Sequence, residues 1–372
     1  MNDKIQASGR EATTPASGNG TTPAGGNGRR VCVTGATGYL GSHVVKRLLD
    51  QGYRVRAMVR DPDNEENVGH LRTLAEAPDH PLEVVRGDVM EPDSLDAPLG
   101  DCELVCHMAS SVRLFAKDPQ RDIVDVAVKG TAHVLSAVQR VGSARRVVLT
   151  SSIAAVTGHD KPDSYVFTEA DWNESADLKV TPYLLAKTLA ERAAWEFHKA
   201  LPEAQRFELV ALNPVVVMGP LIKKAHVRSS PNTLRDLLVR KMPACPRLYL
   251  GLVDVRDVAL AHQLALELPE ASGRYILHNR GLWIREMAQI IAPRFPDYPV
   301  PTWPLPDVAV YAAALFDKRL SIAFLRQQLG RSVVIDNSRS RKELGLSYRP
   351  LEETLVDTCQ SFIDLGMARP KR

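Results

Sequence analysis

Cysteine, aromatic residues and excess charge are all scarce in this chain of 372 residues. The five cysteines, Cys32, Cys102, Cys106, Cys245 and Cys359, are odd in number and form no Cys-x-x-Cys. They read as buried free thiols in a reducing compartment, not as a disulfide framework or a zinc site. Lysine and arginine total 47 against 44 acidic residues, with a pI near 8.5, too slight an excess to argue for nucleic acid. No basic stripe is interleaved with aromatics. Long apolar runs are missing too: the most apolar late stretch, Val308 to Phe316, stops at Asp317-Lys318-Arg319 and is too short to span a bilayer. His43, His107, His133 and His262 lack a second ligand at metal spacing and suit packing or surface roles. Residues 1–28 hold almost nothing apolar and no secretory core, so they are expected to be a disordered tail. A soluble cytoplasmic chain with neither membrane nor nucleic-acid partner follows.

What is present is concentrated around Val31–Ser42. A short β-branched run stops at Gly35, and an amphipathic pattern (Val44, Val45, Leu48, Leu49) starts a few residues later, as in a strand, tight turn and helix. Gly35, Gly38 and Gly41 repeat every third residue across the turn. Glycine lets a pyrophosphate approach the backbone, and the helix that follows aims its free N–H groups and positive dipole end at the phosphates. The spacing is Gly-x-x-Gly-x-x-Gly and not the commoner Gly-x-Gly-x-x-Gly. A bare glycine-rich turn is the alternative.

Strands are expected at Tyr53–Val59, Leu82–Arg86, Glu103–Met108, Arg146–Thr150, Phe207–Val217 and Arg274–Leu277, with helices at Gly38–Asp50, Asp122–Arg140 and from Thr181. This alternation builds a Rossmann-type α/β fold, a doubly wound parallel sheet whose ligands sit beyond the carboxyl ends of the strands. Several residues fall on that edge. Arg60 ends the second strand, where an acid would hold the ribose of NAD and an arginine accommodates the 2′-phosphate of NADP. Asp88, after Gly87, can accept from an adenine amino group or cap a turn. Met108 precedes Ala109-Ser110-Ser111, small residues where backbone and cofactor must come close. Ser152 ends the fifth strand, and Asn213-Pro214 interrupts the sixth, freeing backbone groups or bending the chain. Residues 29–220, with 252–278 returning, form the dinucleotide domain. Residues 221–251 and 279–366 form a smaller, mostly helical substrate lobe, with helices near Ile284–Ile291, Val308–Gln328, Ser338–Leu344 and Leu351–Leu365.

The helix from Thr181 carries the chemistry. Thr181 suits the N-cap and Pro182 the first helical position. Tyr183 and Lys187, four apart, share one helical face. A free phenol titrates at about 10, and a nearby ammonium is expected to lower it so that Tyr183 exchanges a proton with a carbonyl or alcohol oxygen. Ser152 would hold the same oxygen.

Together these residues resemble the extended short-chain dehydrogenase/reductases, and within them the dihydroflavonol 4-reductase-like branch with its microbial aldehyde and ketone reductases. The resemblance runs from Arg30 to Phe362 and is carried by Thr34–Ser42, Met58–Pro62, Arg146–Ser152, Tyr183–Trp195 and Asn213–Pro220. It implies catalytic roles for Ser152, Tyr183 and Lys187. It implies NADP(H) held by Gly35, Thr37, Gly38, Tyr39, Leu40 and Gly41 of the turn, with Arg60, Met108, Ala109 and Ser110. Asp88 and Val89 would meet adenine, Lys187 the nicotinamide ribose, and Pro214, Val215 and Val216 the carboxamide end. The partner is then a small carbonyl or alcohol substrate, and a homodimer is common in such enzymes. Two positions depart from the plant pattern: Asn67 replaces a lysine, leaving NADP(H) preference to Arg60, and Thr157 replaces a polar substrate-binding Asn or Asp. A 3β-hydroxysteroid-type dehydrogenase and a nucleotide-sugar epimerase are alternatives within the family. A non-catalytic dinucleotide sensor would keep the glycine turn and lose the tyrosine. Ile153-Ala154, in place of an acidic pair after the serine, argues against dehydration.

Loss of the Arg60 guanidinium removes a charge-assisted contact of about 1.5–3 kcal/mol. Arg60→Ala is therefore expected to weaken NADPH binding about tenfold or more while leaving NADH within a factor of about two. Titration by cofactor fluorescence checks this, and equal losses for both cofactors would contradict it.

Overall fold

The computed structural model describes residues 26–74, 82–110, 116–228, 230–315 and 322–370. Most of the expected tail (residues 1–25), Ser111 and residues 316–321 lie outside them. The tail's last residues are not loose: the amides of Gly26 and Gly28 donate to the carbonyls of Gln51 and Gly52.

The strands are β1 (Arg30–Thr34), β2 (Arg54–Val59), β3 (Leu82–Arg86), β4 (Leu104–His107), β5 (Arg146–Thr150), β6 (Val166–Phe167), β7 (Glu208–Pro214), β8 (Val216–Met218), β9 (Tyr249–Asp254), β10 (Gly273–Leu277), β11 (Arg280–Trp283) and β12 (Val334–Ile335). The helices are α1 (Tyr39–Asp50), α2 (Glu65–Leu74), α3 (Asp96–Leu99), α4 (Val126–Val141), α5 (Pro182–Ala200), α6 (Asn232–Leu238), α7 (Val255–Glu267), α8 (Ile284–Ile291), α9 (Asp307–Ala314), α10 (Ile322–Gln328), α11 (Ser338–Glu343) and α12 (Leu351–Asp364). A seven-stranded sheet in the order β10-β7-β5-β4-β1-β2-β3 is parallel throughout. This is the Rossmann-type doubly wound arrangement.

The period-two alternation of a strand sends neighbouring side chains to opposite faces. Val31 and Val33 join the core under α1 and α7, where Val44, Val45, Leu48 and Leu49 are buried. Cys32 joins the opposite core with Val134, Leu135 and Val138 of α4 and Ala194 of α5. Burying each leucine contributes about 1.5–3 kcal/mol. A third cluster, around α6, α8 and α12, fills the second lobe.

Beside these helices β11-β9-β8 form a three-stranded sheet. Expected strand 207–217 divides there. It pairs with β10 through Pro214↔Leu277, then leaves at Val215 and re-pairs as β8 with β9. Proline is tolerated because the amide of Val215, one residue on, donates to Leu277 O. The Val215 amide is thus not freed for a ligand; Asn213-Pro214 marks the passage between sheets. β9 ends at Asp254, which is also the N-cap of α7 and accepts from the Arg256 amide at 2.7 Å. The helix expected across 308–328 is represented by α9 and α10.

All five cysteines are buried and free. The Cys102 and Cys32 thiols are hydrogen-bonded to each other, and Arg56 Nη1 approaches Cys102 Sγ at 3.8 Å.

Burial lowers several imidazoles: His43, His262 and His278 to about 4, and His107 to about 3. Asp257 is pushed the other way, to about 6, by burial. The imidazoles bind protons more readily unfolded, so their contribution is lost as pH falls from about 6.5 through 4. Asp257 and Glu169, whose carboxyls burial raises, favour the folded state at low pH and oppose this, while His70 and His226, lowered to about 4 and about 3, act with the other imidazoles. Melting followed from pH 7 to 4 should show Tm falling by several degrees or more; a flat or rising Tm would contradict the burial of these rings.

Candidate active site

The glycine turn closes on itself through Gly38 N to Gly35 O at 3.0 Å. Gly35 has φ +69°, a left-handed conformation only glycine adopts cheaply, and a Cβ there would lie 2.8 Å from the amide nitrogen of Ala109. A Cβ on Gly41 would run into the Gly35 carbonyl. Thr34 sets the opposing strand end: its hydroxyl accepts the amides of Met108 and Ala109, both at 3.0 Å, and pairs with His107 Nδ1 at 2.9 Å. Gly38 is the N-cap of α1, and among the described residues no side chain caps that end. The first-turn N–H groups of a twelve-residue helix therefore face the cleft without a side-chain acceptor, which suits a diphosphate.

The other expected cofactor contacts divide. Arg60 is exposed at the end of β2, with no hydrogen bond or ion pair of its guanidinium among the described residues. Asp88 caps its turn, Oδ1 accepting from Met90 N at 2.8 Å. The Val89 carbonyl accepts from His133. The Tyr39 phenol points away from the turn, donating to Gly219 O at 2.8 Å, so Tyr39 can offer a phosphate only its backbone. Thr37 and Leu40 stay partly exposed on the turn, and Val216 lies in β8 beside β9. Turn, helix end and unpartnered arginine together fit a phosphorylated dinucleotide.

Ser152, Tyr183 and Lys187 converge beyond β5. Ser152 is buried; its Oγ accepts from the Ala154 amide at 3.2 Å, and its hydroxyl is hydrogen-bonded to the Tyr183 phenol. Tyr183 is half-buried in the first turn of α5. Thr181 is its N-cap by position only: its hydroxyl accepts from Asp177 N and caps no α5 amide. Burial pushes the Tyr183 phenol above its ordinary value, against a smaller pull from the Ser152 hydroxyl. That reverses the direction expected from Lys187. The ammonium is instead turned toward the strand ends, donating to Thr150 O at 3.4 Å. Burial lowers Lys187 to about 8, and the Glu191 carboxylate opposes that fall. A small enclosed pocket beside it is lined by His107, Ala109, Ser110, Ser151, Lys187 and Glu191 among others.

The sequence reading missed Thr34, Glu191, Asn213 as a side chain, and Arg274. Glu191 continues the four-residue spacing of Tyr183 and Lys187, which was a usable signal. Arg274 joins from a strand eighty-three positions away and had none.

The sequence pattern of the NAD dependent epimerase/dehydratase family matches residues 31–278, and the chain belongs to that family. Cinnamoyl-CoA reductase of Medicago truncatula is 35% identical over 342 residues, spanning 89% of this chain and 95% of that protein. An anthocyanidin reductase of Vitis vinifera is 35% identical over 287 residues, spanning 74% and 83%. Among solved structures, yeast methylglyoxal/isovaleraldehyde reductase complexed with NADPH superposes with TM-score 0.74 at 29% identity, over 91% of this chain and all of that one. These matches agree with the resemblance to the extended short-chain dehydrogenase/reductases.

Gly35→Ala places a methyl against the Ala109 backbone and strains a left-handed residue, at about 1–3 kcal/mol. It should lower Tm and weaken NADPH binding about tenfold or more. Calorimetric titration tests this; wild-type affinity in a folded variant would show that the turn does not hold the cofactor.

Proposed function

We propose that Ser152, Tyr183 and Lys187 form the active site of an NADP(H)-dependent oxidoreductase that reduces a ketone or aldehyde to an alcohol, reversibly. The carrying observation is their convergence in one cleft beside an uncapped helix end that fits a dinucleotide diphosphate. Three relatives are reductases by name, and the yeast enzyme was solved with NADPH. The bound cofactor supplies the hydride. Gly35, Gly38 and Gly41 admit its diphosphate, and Arg60 takes the 2′-phosphate.

The side chains then divide the proton chemistry. The Ser152 hydroxyl donates to the substrate oxygen and holds it. With its titration raised by burial, Tyr183 stays protonated at neutral pH, the form that donates to a nascent alkoxide. Lys187, at about 8, is charged there and places a positive field beside the developing oxyanion. The lobe of residues 221–251 and 279–366 closes over the substrate. The reading extends to a small carbonyl or alcohol substrate, a cytoplasmic location and a homodimeric assembly, with no nucleic-acid or membrane partner. Among the described residues no helix is long and apolar enough to cross a membrane.

A dehydratase reading needs an acid beside the serine. After Ser152 the chain enters a 3-10 turn, Ile153–Ala155, with Ala154 and Ala155 buried, so no acidic side chain stands there.

NADPH oxidation over a panel of aldehydes and ketones, repeated with Tyr183→Phe, tests the reading. The substitution should lower kcat by about 100- to 10,000-fold while NADPH affinity holds within about twofold. Turnover at the native rate would remove Tyr183 from the mechanism.

A further inference from the structure

Glu191 lies one helical turn beyond Lys187 on α5 and is almost wholly buried, 1% exposed. Its carboxylate is shared among four elements. Oε2 accepts from Ser151 Oγ at 2.5 Å and from Asn213 Nδ2 at 2.7 Å; Oε1 accepts from Trp195 Nε1 at 3.2 Å and from Arg274 Nε at 2.6 Å. Asn213 Nδ2 also donates to Ser152 O at 3.1 Å. Arg274 is buried under the Trp172 ring, 4.0 Å from its centroid, and donates to the carbonyls of Glu169, Asp171 and Ala155.

An ion pair that served only to join β10 to α5 would need nothing more than Arg274 and Glu191. Here Oε2 is also bound to Ser151 at the end of β5 and to Asn213 of β7, and the carboxylate lines the same small pocket as Lys187. We propose that Glu191, anchored by Arg274, is a positioning residue for carbonyl reduction, its buried charge holding Lys187 as the ammonium and its Asn213 link fixing the Ser152 backbone. The proposal rests on the assignment of Tyr183 and Lys187 made above.

The surroundings of Lys187 support it. The Tyr183 phenol lies one turn before it on α5. From β4 comes His107, which burial keeps neutral, and from β5 the carbonyl of Thr150. Glu191 is the carboxylate among the described residues that opposes the effect of burial on Lys187. Without that charge, burial acts unopposed and the lysine loses its proton at lower pH.

The test is the pH profile of kcat/KM for NADPH-dependent reduction by the full-length enzyme, between pH 6 and 10. Wild type should lose activity on an alkaline limb as Lys187 deprotonates. Glu191→Gln, which keeps the shape and some of the hydrogen bonds, should move that limb to lower pH by about one unit. Glu191→Asp, which keeps the charge, should restore its position. A folded Glu191→Gln enzyme with the wild-type limb overturns the proposal. Should that variant fail to fold, Ser151→Ala removes one neutral donor and leaves the carboxylate charge less dispersed. The limb should then move to higher pH, and a limb that stays in place overturns the proposal. Tyr183→Phe separates the two assignments. If it keeps native turnover, the active-site assignment fails; if it is inactive while Glu191→Gln matches wild type in profile, only the role of Glu191 fails.

Discussion

The ammonium of Lys187 sits at the carboxyl edge of a parallel sheet with little access to water, and the buried polar groups beside it are arranged around that fact. An isolated buried cation costs several kcal/mol in desolvation. Burial brings Lys187 down to about 8, close enough to neutrality to remain charged where a reductase works. The compensation is distributed. A strand-end carbonyl accepts from the lysine, the nearby imidazole of His107 stays neutral, and a carboxylate lies one helical turn away. That carboxylate is itself buried and in turn requires Arg274, so the charges form a chain across β10, α5 and β5.

The sheet explains why these groups meet. In a doubly wound parallel sheet every strand delivers its carboxyl end to the same edge, so β1, β4, β5 and β7 bring Thr34, His107, Ser152 and Asn213 within one region despite their separation in sequence. Thr34 ties strand ends together beside the glycine turn, as Glu191 does beside Lys187. One hydroxyl binds two amides of the β4 end and keeps the loop against Gly35, where a side chain would not fit. Tyr39 ties the first turn of α1 to the chain just beyond β8, its phenol donating to Gly219 O.

Local patterns were legible in the sequence wherever one element determines them. The glycine spacing, the strand at Leu82–Arg86, the strand at Arg146–Thr150 running into Ser152, and the Tyr183–Lys187 spacing all appear in the structure where they were expected. What escaped was set by distant parts of the chain. The β11-β9-β8 sheet could not be foreseen because its strands pair across long separations that no local pattern reports. The direction in which the Tyr183 phenol shifts depends on burial, which spacing along a helix does not report. Arg274 reads as one more residue of an edge strand until the fold places it over Trp172 and against Glu191.

A crystal structure with NADPH and an alcohol product bound tests the central claim most directly. The Tyr183 hydroxyl and the Ser152 hydroxyl should both lie within hydrogen-bonding distance of the alcohol oxygen, about 2.6–3.2 Å, with Lys187 beside the same group. A product oxygen bound by neither hydroxyl, with Tyr183 turned away from the cofactor, would contradict it.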